Sequence, residues 1–174
     1  MSTAAALHTY FAYGSNLHPL RLQHRAPQCR VVTVARLPGY RLAFDKRSLI
    51  DGSGKCNIHT CEPQSAVWGV VYCLSPAELA RLDDEEVVHG GYQRIEVEVH
   101  DHSQGVHQVC TYQAPAELTD ASLAPYDWYH ALVIRGASHH GLPSEWIRRL
   151  QSIAAQHDHD RERRRLFDAF LAGL

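Results

Sequence analysis

Apolar, β-branched-rich runs separated by polar or glycine-containing stretches fill the first two thirds of the chain. They span 9–13, 30–36, 40–44, 56–61, 67–74, 92–99 and 106–113, and each predicts a β-strand. The run from Tyr92 to Val99, with strict apolar–polar alternation from Ile95 on, predicts a strand with one face in water. Pro38-Gly39 and Asp51-Gly-Ser-Gly54 mark turns between strands. The pattern then changes period. Ser75-Pro-Ala-Glu78 combines an N-cap serine, proline at the first helical position and the glutamate of a capping box, opening a short helix through about Leu82. Pro143 begins another, with Trp146, Ile147, Leu150, Ile153 and Ala154 on one face. Asp158 or Asp160 caps a last basic helix that ends in Leu166, Phe167, Phe170 and Leu171. Strands dominate and three helices close the chain, which predicts an α+β fold: a mixed sheet or small barrel with helices packed outside it.

Length and composition add bounds rather than chemistry. The 174 residues contain no internal repeat or low-complexity linker, so 1–174 reads as a single domain. A net charge of -2 with 45% hydrophobic and 21% charged residues gives no argument for nucleic acid or a membrane surface. The longest apolar run, Val67–Leu74, is too short to span a bilayer. Met1–Ala6 lacks the cationic start and apolar stretch of a secretory leader, so a cytoplasmic location is expected. Five scattered cysteines read as reduced thiols.

Two segments carry candidate chemistry. In Tyr10-Phe-Ala-Tyr-Gly-Ser-Asn-Leu17 a strand breaks abruptly into Gly14, Ser15 and Asn16. Such residues tolerate positive φ or bond their own backbone, and the turn aims successive N–H groups at an anion or a polarised carbonyl. Ordinary strand-to-loop turns have the same composition. The second segment is Leu82-Asp-Asp-Glu-Glu-Val-Val88. Four consecutive carboxylates usually make a solvated helix end. Where one turns toward an apolar pocket, repulsion and desolvation raise its pKa, which suits a general base that later acts as an acid. Adjacent residues cannot all point inward, so at most one or two of the four serve.

Taken together these segments resemble the γ-glutamylcyclotransferase family. The resemblance runs from Tyr10–Leu17 through Val34–Leu37, Trp68–Tyr72, Leu82–Glu86, Gly91-Tyr92, Ile95–Val99 and Tyr129 to Gly141–Pro143. It implies a small mixed β-barrel flanked by helices, and conversion of a γ-glutamyl amino acid or amide to 5-oxoproline with release of the amine. It also implies Glu86, eighteen residues after Trp68, as the acid/base. Tyr10, Phe11, Ala12, Tyr13, Gly14, Ser15 and Asn16 would hold the γ-glutamyl group; Tyr92 would line the pocket and Tyr129 would close over the substrate. The implied partner is a small γ-glutamyl substrate, with a homodimer common in the family; no cofactor or metal is implied.

The chain departs from the family in two places. Val87-Val88 follows the glutamate where the family has Gly-Val. The path from Glu86 to Tyr92 is also one residue short, so counting back from Tyr92 favours Glu85. The count from Trp68 favours Glu86 and crosses elements of constrained length. Glutathione-specific members of the family carry a shorter loop without an Asn-Leu ending, so the resemblance, with Asn16-Leu17 present, implies γ-glutamyl amino acids or amines as substrates. A binding module that keeps the pocket without the chemistry is the rival reading.

Other constellations carry less. Ser15 lies outside the Gly-x-Ser-x-Gly elbow and has no base partner at a readable spacing. Cys56, His59 and Cys61, with the pairs His139/His140 and His157/His159, lack a recognisable second ligand set.

Overall fold

A computed structural model describes residues 6–173; the reading of Met1–Ala5 as leaderless lies outside them. Each predicted run forms a strand: β1 (His8–Ala12), β2 (Arg30–Pro38), β3 (Tyr40–Arg47), β4 (Gly54–Thr60), β5 (Ala66–Leu74), β6 (Gln93–Asp101) and β7 (Val106–Gln113). Five close into a barrel in the order β1-β5-β2-β6-β7. The ladders are antiparallel except where β1 meets β7 in parallel through Tyr10 and Cys110, so the barrel is mixed. Strands β3 and β4 form a separate antiparallel hairpin.

The alternation in β6 does what it predicts: Val97 and Val99 are buried while Glu96 and Glu98 face solvent. Phe11, Val70, Val71, Ala35 and Leu37 help fill the interior. Gly69 is required by that packing, because a Cβ there would lie 2.3 Å from the Ala12 carbonyl oxygen and 2.7 Å from the Phe11 ring.

Among the described residues, five helices flank the barrel: α1 (Pro19–Arg25), α2 (Pro76–Asp83), α3 (Asp127–His139), α4 (Ser144–Gln151) and α5 (Arg161–Ala172). The capping box opens α2, with Glu78 N–H donating to Ser75 Oγ at 3.3 Å and Ser75 N–H to Glu78 Oε2 at 2.9 Å. Asp160 caps α5 by accepting from the amides of Glu162 and Arg163. Asp158 has another task. Its buried carboxylate accepts from Trp128 Nε1 at 2.8 Å and from Arg163 at 2.6 and 2.7 Å, while Phe167 stacks on Trp128 at 3.8 Å. Helix α4 stops at Gln151, so Ile153 and Ala154 lie beyond it. Helix α3 has no counterpart in the sequence reading, and neither has helix α1. Only seven residues long, it is too short for a periodic signal.

Candidate active site

Strand β1 ends at Ala12, and a 3-10 turn over Ser15–Leu17 follows. Gly14 does not use positive φ as expected; its φ is -109°. What the site requires there is proximity, since a Cβ would sit 3.0 Å from Cys56 Cβ and 3.5 Å from the Tyr129 hydroxyl. No side chain caps the turn, so the amides of Ser15 and Asn16 have no intrahelical partner. Helix α3 holds the turn from outside. At Gly136 a Cβ would be 2.4 Å from the Leu17 carbonyl carbon and 2.5 Å from the His18 nitrogen, so only glycine lets the helix approach this closely.

Helix α2 runs directly into a π-helical turn, Asp84–His89. That change of period, common at functional sites, decides which acidic residue faces inward. The Glu86 side chain is 16% exposed, whereas that of Glu85 is 53% exposed. Gly91 at φ +77° then reverses the chain, and Tyr92 N–H donates to the Glu86 carbonyl at 2.9 Å. This turn accommodates the short path between the two residues and keeps Tyr92 out of the β6 ladder.

Glu86 Oε1 accepts from Asn16 Nδ2 at 3.1 Å and from Arg25 at 2.5 Å. Asn16 also donates to the Tyr10 hydroxyl at 3.0 Å and accepts from Arg25 at 3.1 Å. Asn16 and Arg25, with Tyr10 behind Asn16, thus lock one carboxylate oxygen of the sequence-distant Glu86.

Tyrosines wall the rest of the pocket. Tyr10, Tyr13, Tyr92, Tyr112 and Tyr129 line it with Gly14, Ser15, Asn16, Cys56 and Glu86. The Cys56 backbone anchors two of them: its N–H donates to the Tyr129 hydroxyl at 3.0 Å and its carbonyl accepts from Tyr92 at 2.8 Å. Burial pushes the phenols of Tyr10, Tyr13, Tyr92 and Tyr129 well above the ordinary range, so they stay neutral near pH 7. Burial also pushes the Cys56 thiol up to about 12, which makes it inert.

Phe11 and Ala12 are placed differently from the expectation. Both are fully buried and neither lines the pocket. Phe11 points to the opposite face of β1 from Tyr10, and Ala12 has only a methyl to offer. The Ser15 hydroxyl accepts from Arg21 Nε at 3.0 Å, with no base beside it. The histidines flagged by sequence have separate partners: His59 with Asp45 at 2.7 Å, His140 with the Tyr72 hydroxyl at 2.8 Å, His157 with Asp127 at 2.9 Å.

Sequence reasoning missed Arg21, Arg25, Cys56 and Tyr112. A signal for the arginines existed: they are spaced four apart after His18-Pro19, which puts both on one face of a short helix.

A closed mixed barrel with a carboxylate set against a Tyr-Gly-Ser-Asn turn defines the γ-glutamylcyclotransferase-like class of folds. The AIG2-like family model matches residues 66–150. A γ-glutamylcyclotransferase of Bos taurus is 36% identical over 151 residues, covering 83% of this chain and 77% of the relative. That of Homo sapiens is 34% identical over 149 residues with the same coverage. A solved γ-glutamyl cyclotransferase structure superposes with a TM-score of 0.83 at 28% identity, covering 94% of this chain and 99% of the other. The chain belongs to the γ-glutamylcyclotransferase family. Among the described residues, no helix is long and apolar enough to cross a membrane.

Proposed function

We propose that the protein is a γ-glutamylcyclotransferase in which Glu86 moves the proton. The observation that carries this reading is the Glu86 carboxylate, set in a tyrosine-lined pocket opposite the uncapped amides of Ser15 and Asn16. The α-amine of a γ-glutamyl amide attacks its own γ-carbonyl. A C–N bond closes the five-membered ring, the original amide C–N bond breaks, and the leaving nitrogen takes up the two protons that the α-ammonium nitrogen loses in becoming the ring amide. Atoms balance within one substrate, so the protein's tasks are conformation and proton transfer.

Holding the folded conformer supplies up to about 7–11 kcal/mol of the barrier. Asn16 and Arg25 both bond Oε1 of Glu86, which leaves Oε2 to take the ammonium proton and return it to the leaving nitrogen. That role is worth roughly two to four powers of ten. The Ser15 and Asn16 amides suit the substrate α-carboxylate or the oxyanion that forms at the γ-carbonyl. The neutral tyrosines shape the slot, with Tyr129 and Tyr92 covering it, and five free thiols suit a reducing, cytoplasmic setting.

The test is mass-spectrometric detection of 5-oxoproline from γ-glutamyl amino acids, γ-glutamyl amines and glutathione. Release is expected from members of the first two groups and lost in Glu86→Gln, which keeps shape and removes the base. Binding without 5-oxoproline from any substrate would instead identify a binding module.

A further inference from the structure

Next to the catalytic pocket lies a second cavity that shares Ser15, Glu86, Tyr92 and Tyr129 with it and extends between α1, the β3–β4 loop and the acidic turn. Four cations line it: Arg21, Arg25, Lys46 and Lys55. Two are neutralised. Arg25 pairs with Glu86, and Lys55 with Asp51 at 2.9 Å. Arg21 and Lys46 form no ion pair among the described residues: Arg21 donates to the Ser15 hydroxyl and Lys46 to the Gly90 carbonyl. Glu85 on the rim is largely solvated and already 3.6 Å from Arg25.

Burying a cation without a counter-charge is expensive, and Lys46 is only 2% exposed. The strain registers in all three free or nearby groups. Burial pulls the Arg21 guanidinium down to about 10 and lowers the Lys46 ammonium. Burial, with repulsion from Arg21 and Lys46, brings Lys55 to about 8. Positive charge without an ion-pair partner facing a cavity suits anionic groups on a ligand.

We infer that this cavity receives the leaving group, and that Arg21 and Lys46 select an amino acid with an acidic side chain, as in γ-glutamyl-aspartate. The inference rests on the cyclotransferase reading above. A substrate whose γ-carbonyl lies beside Glu86 projects its amine portion past Tyr92 and Tyr129 into the second cavity. There one cation meets the leaving residue's α-carboxylate and the other its side-chain carboxylate. A neutral leaving group leaves Arg21 and Lys46 without a carboxylate partner, held only by their hydrogen bonds to Ser15 and Gly90 and by the Phe167 and Tyr92 rings. The γ-glutamyl α-carboxylate is common to every substrate, so it cannot produce a preference among leaving groups.

The experiment compares kcat/KM for γ-glutamyl-aspartate, γ-glutamyl-alanine and γ-glutamyl-ethylamide on the intact protein, read as 5-oxoproline. Each leaving-group carboxylate is expected to raise kcat/KM about tenfold, the scale of one charge-assisted hydrogen bond. Lys46→Met and Arg21→Gln should each cut the aspartate-to-ethylamide ratio by about tenfold, and Lys46→Arg should preserve it. If Lys46→Met does not fold, the wild-type ranking and Arg21→Gln decide. Equal or faster cleavage of the alanine substrate overturns the acidic preference alone. Absence of 5-oxoproline from all three removes the cyclotransferase reading and this inference with it.

Discussion

Arg25 Nη1 lies 2.5 Å from Glu86 Oε1, and the same guanidinium nitrogen donates to Asn16 Oδ1 at 3.1 Å. One arginine therefore sets both the carboxylate and the amide that faces it. Arg25 is a positioning residue in this arrangement: it acts on the substrate through Glu86 and Asn16. Arg25→Met is expected to lower kcat by up to about a hundredfold, the cost of roughly an ångström of misplacement. KM should change little and Arg25→Lys should recover part of the loss. Steady-state kinetics with matched thermal melts check this. A rise in KM alone would point instead to a direct role in binding.

The two central acidic residues should separate cleanly. Glu86→Gln is expected to lose about two to four powers of ten in kcat, with thermal melts reading separately the stability lost when Arg25 is left without its partner. Glu85→Gln should stay within about threefold of wild type, because an exposed carboxylate 3.6 Å from Arg25 contributes little. Parallel turnover assays of the two variants decide between them.

The close contact at Gly136 predicts a structural effect with a functional readout. Gly136→Ala forces a methyl against the backbone of Leu17 and His18, an overpacking that costs about 1–3 kcal/mol. Because the displaced backbone is the end of the Ser15–Leu17 turn, KM should rise together with the loss of stability. Urea denaturation and kinetics on one preparation test the pairing; instability without a change in KM would uncouple α3 from the site.

Asp158 governs an acid transition. Hydrogen bonds from Arg163, then from the Asp160 amide and Trp128, hold its carboxyl well below the usual carboxylate range. The unfolded chain therefore binds this proton more readily than the folded one. The stabilisation is complete above about pH 4 and is lost as pH falls from there toward the depressed native value. Asp158→Asn should cost about 1.5–3 kcal/mol at pH 7, since it removes the charge-assisted bonds from Arg163, which keeps Asp160 at 3.3 Å, and should flatten the pH dependence of stability below about pH 4. Melts across pH 2–7 on both proteins measure it.

Much of this molecule was legible locally. The capping box at Ser75–Glu78, the alternation of Val97 and Val99, and the aromatic run into Gly14-Ser15-Asn16 are short-range features whose physics acts within a few residues. Helix α1 was not legible: seven residues give no period to detect, and with it went Arg21 and Arg25. Gly14 was read correctly as a special position for the wrong reason, because a close neighbour on β4 is invisible in one strand's sequence.

By itself the sequence determined the strands, the capped helices and the family resemblance of two separated segments, since backbone propensity, alternation and capping are written in neighbouring residues. The tertiary structure decided how Glu86, which the count from Trp68 already favoured over Glu85, turns inward, through a π turn and the Gly91 reversal. It also brought Arg25 to Glu86 across sixty-one positions and left Arg21 and Lys46 facing a cavity without counter-charges. Those outcomes depend on barrel closure, which places β1, the hairpin and the acidic turn around one space, and no local rule encodes that proximity.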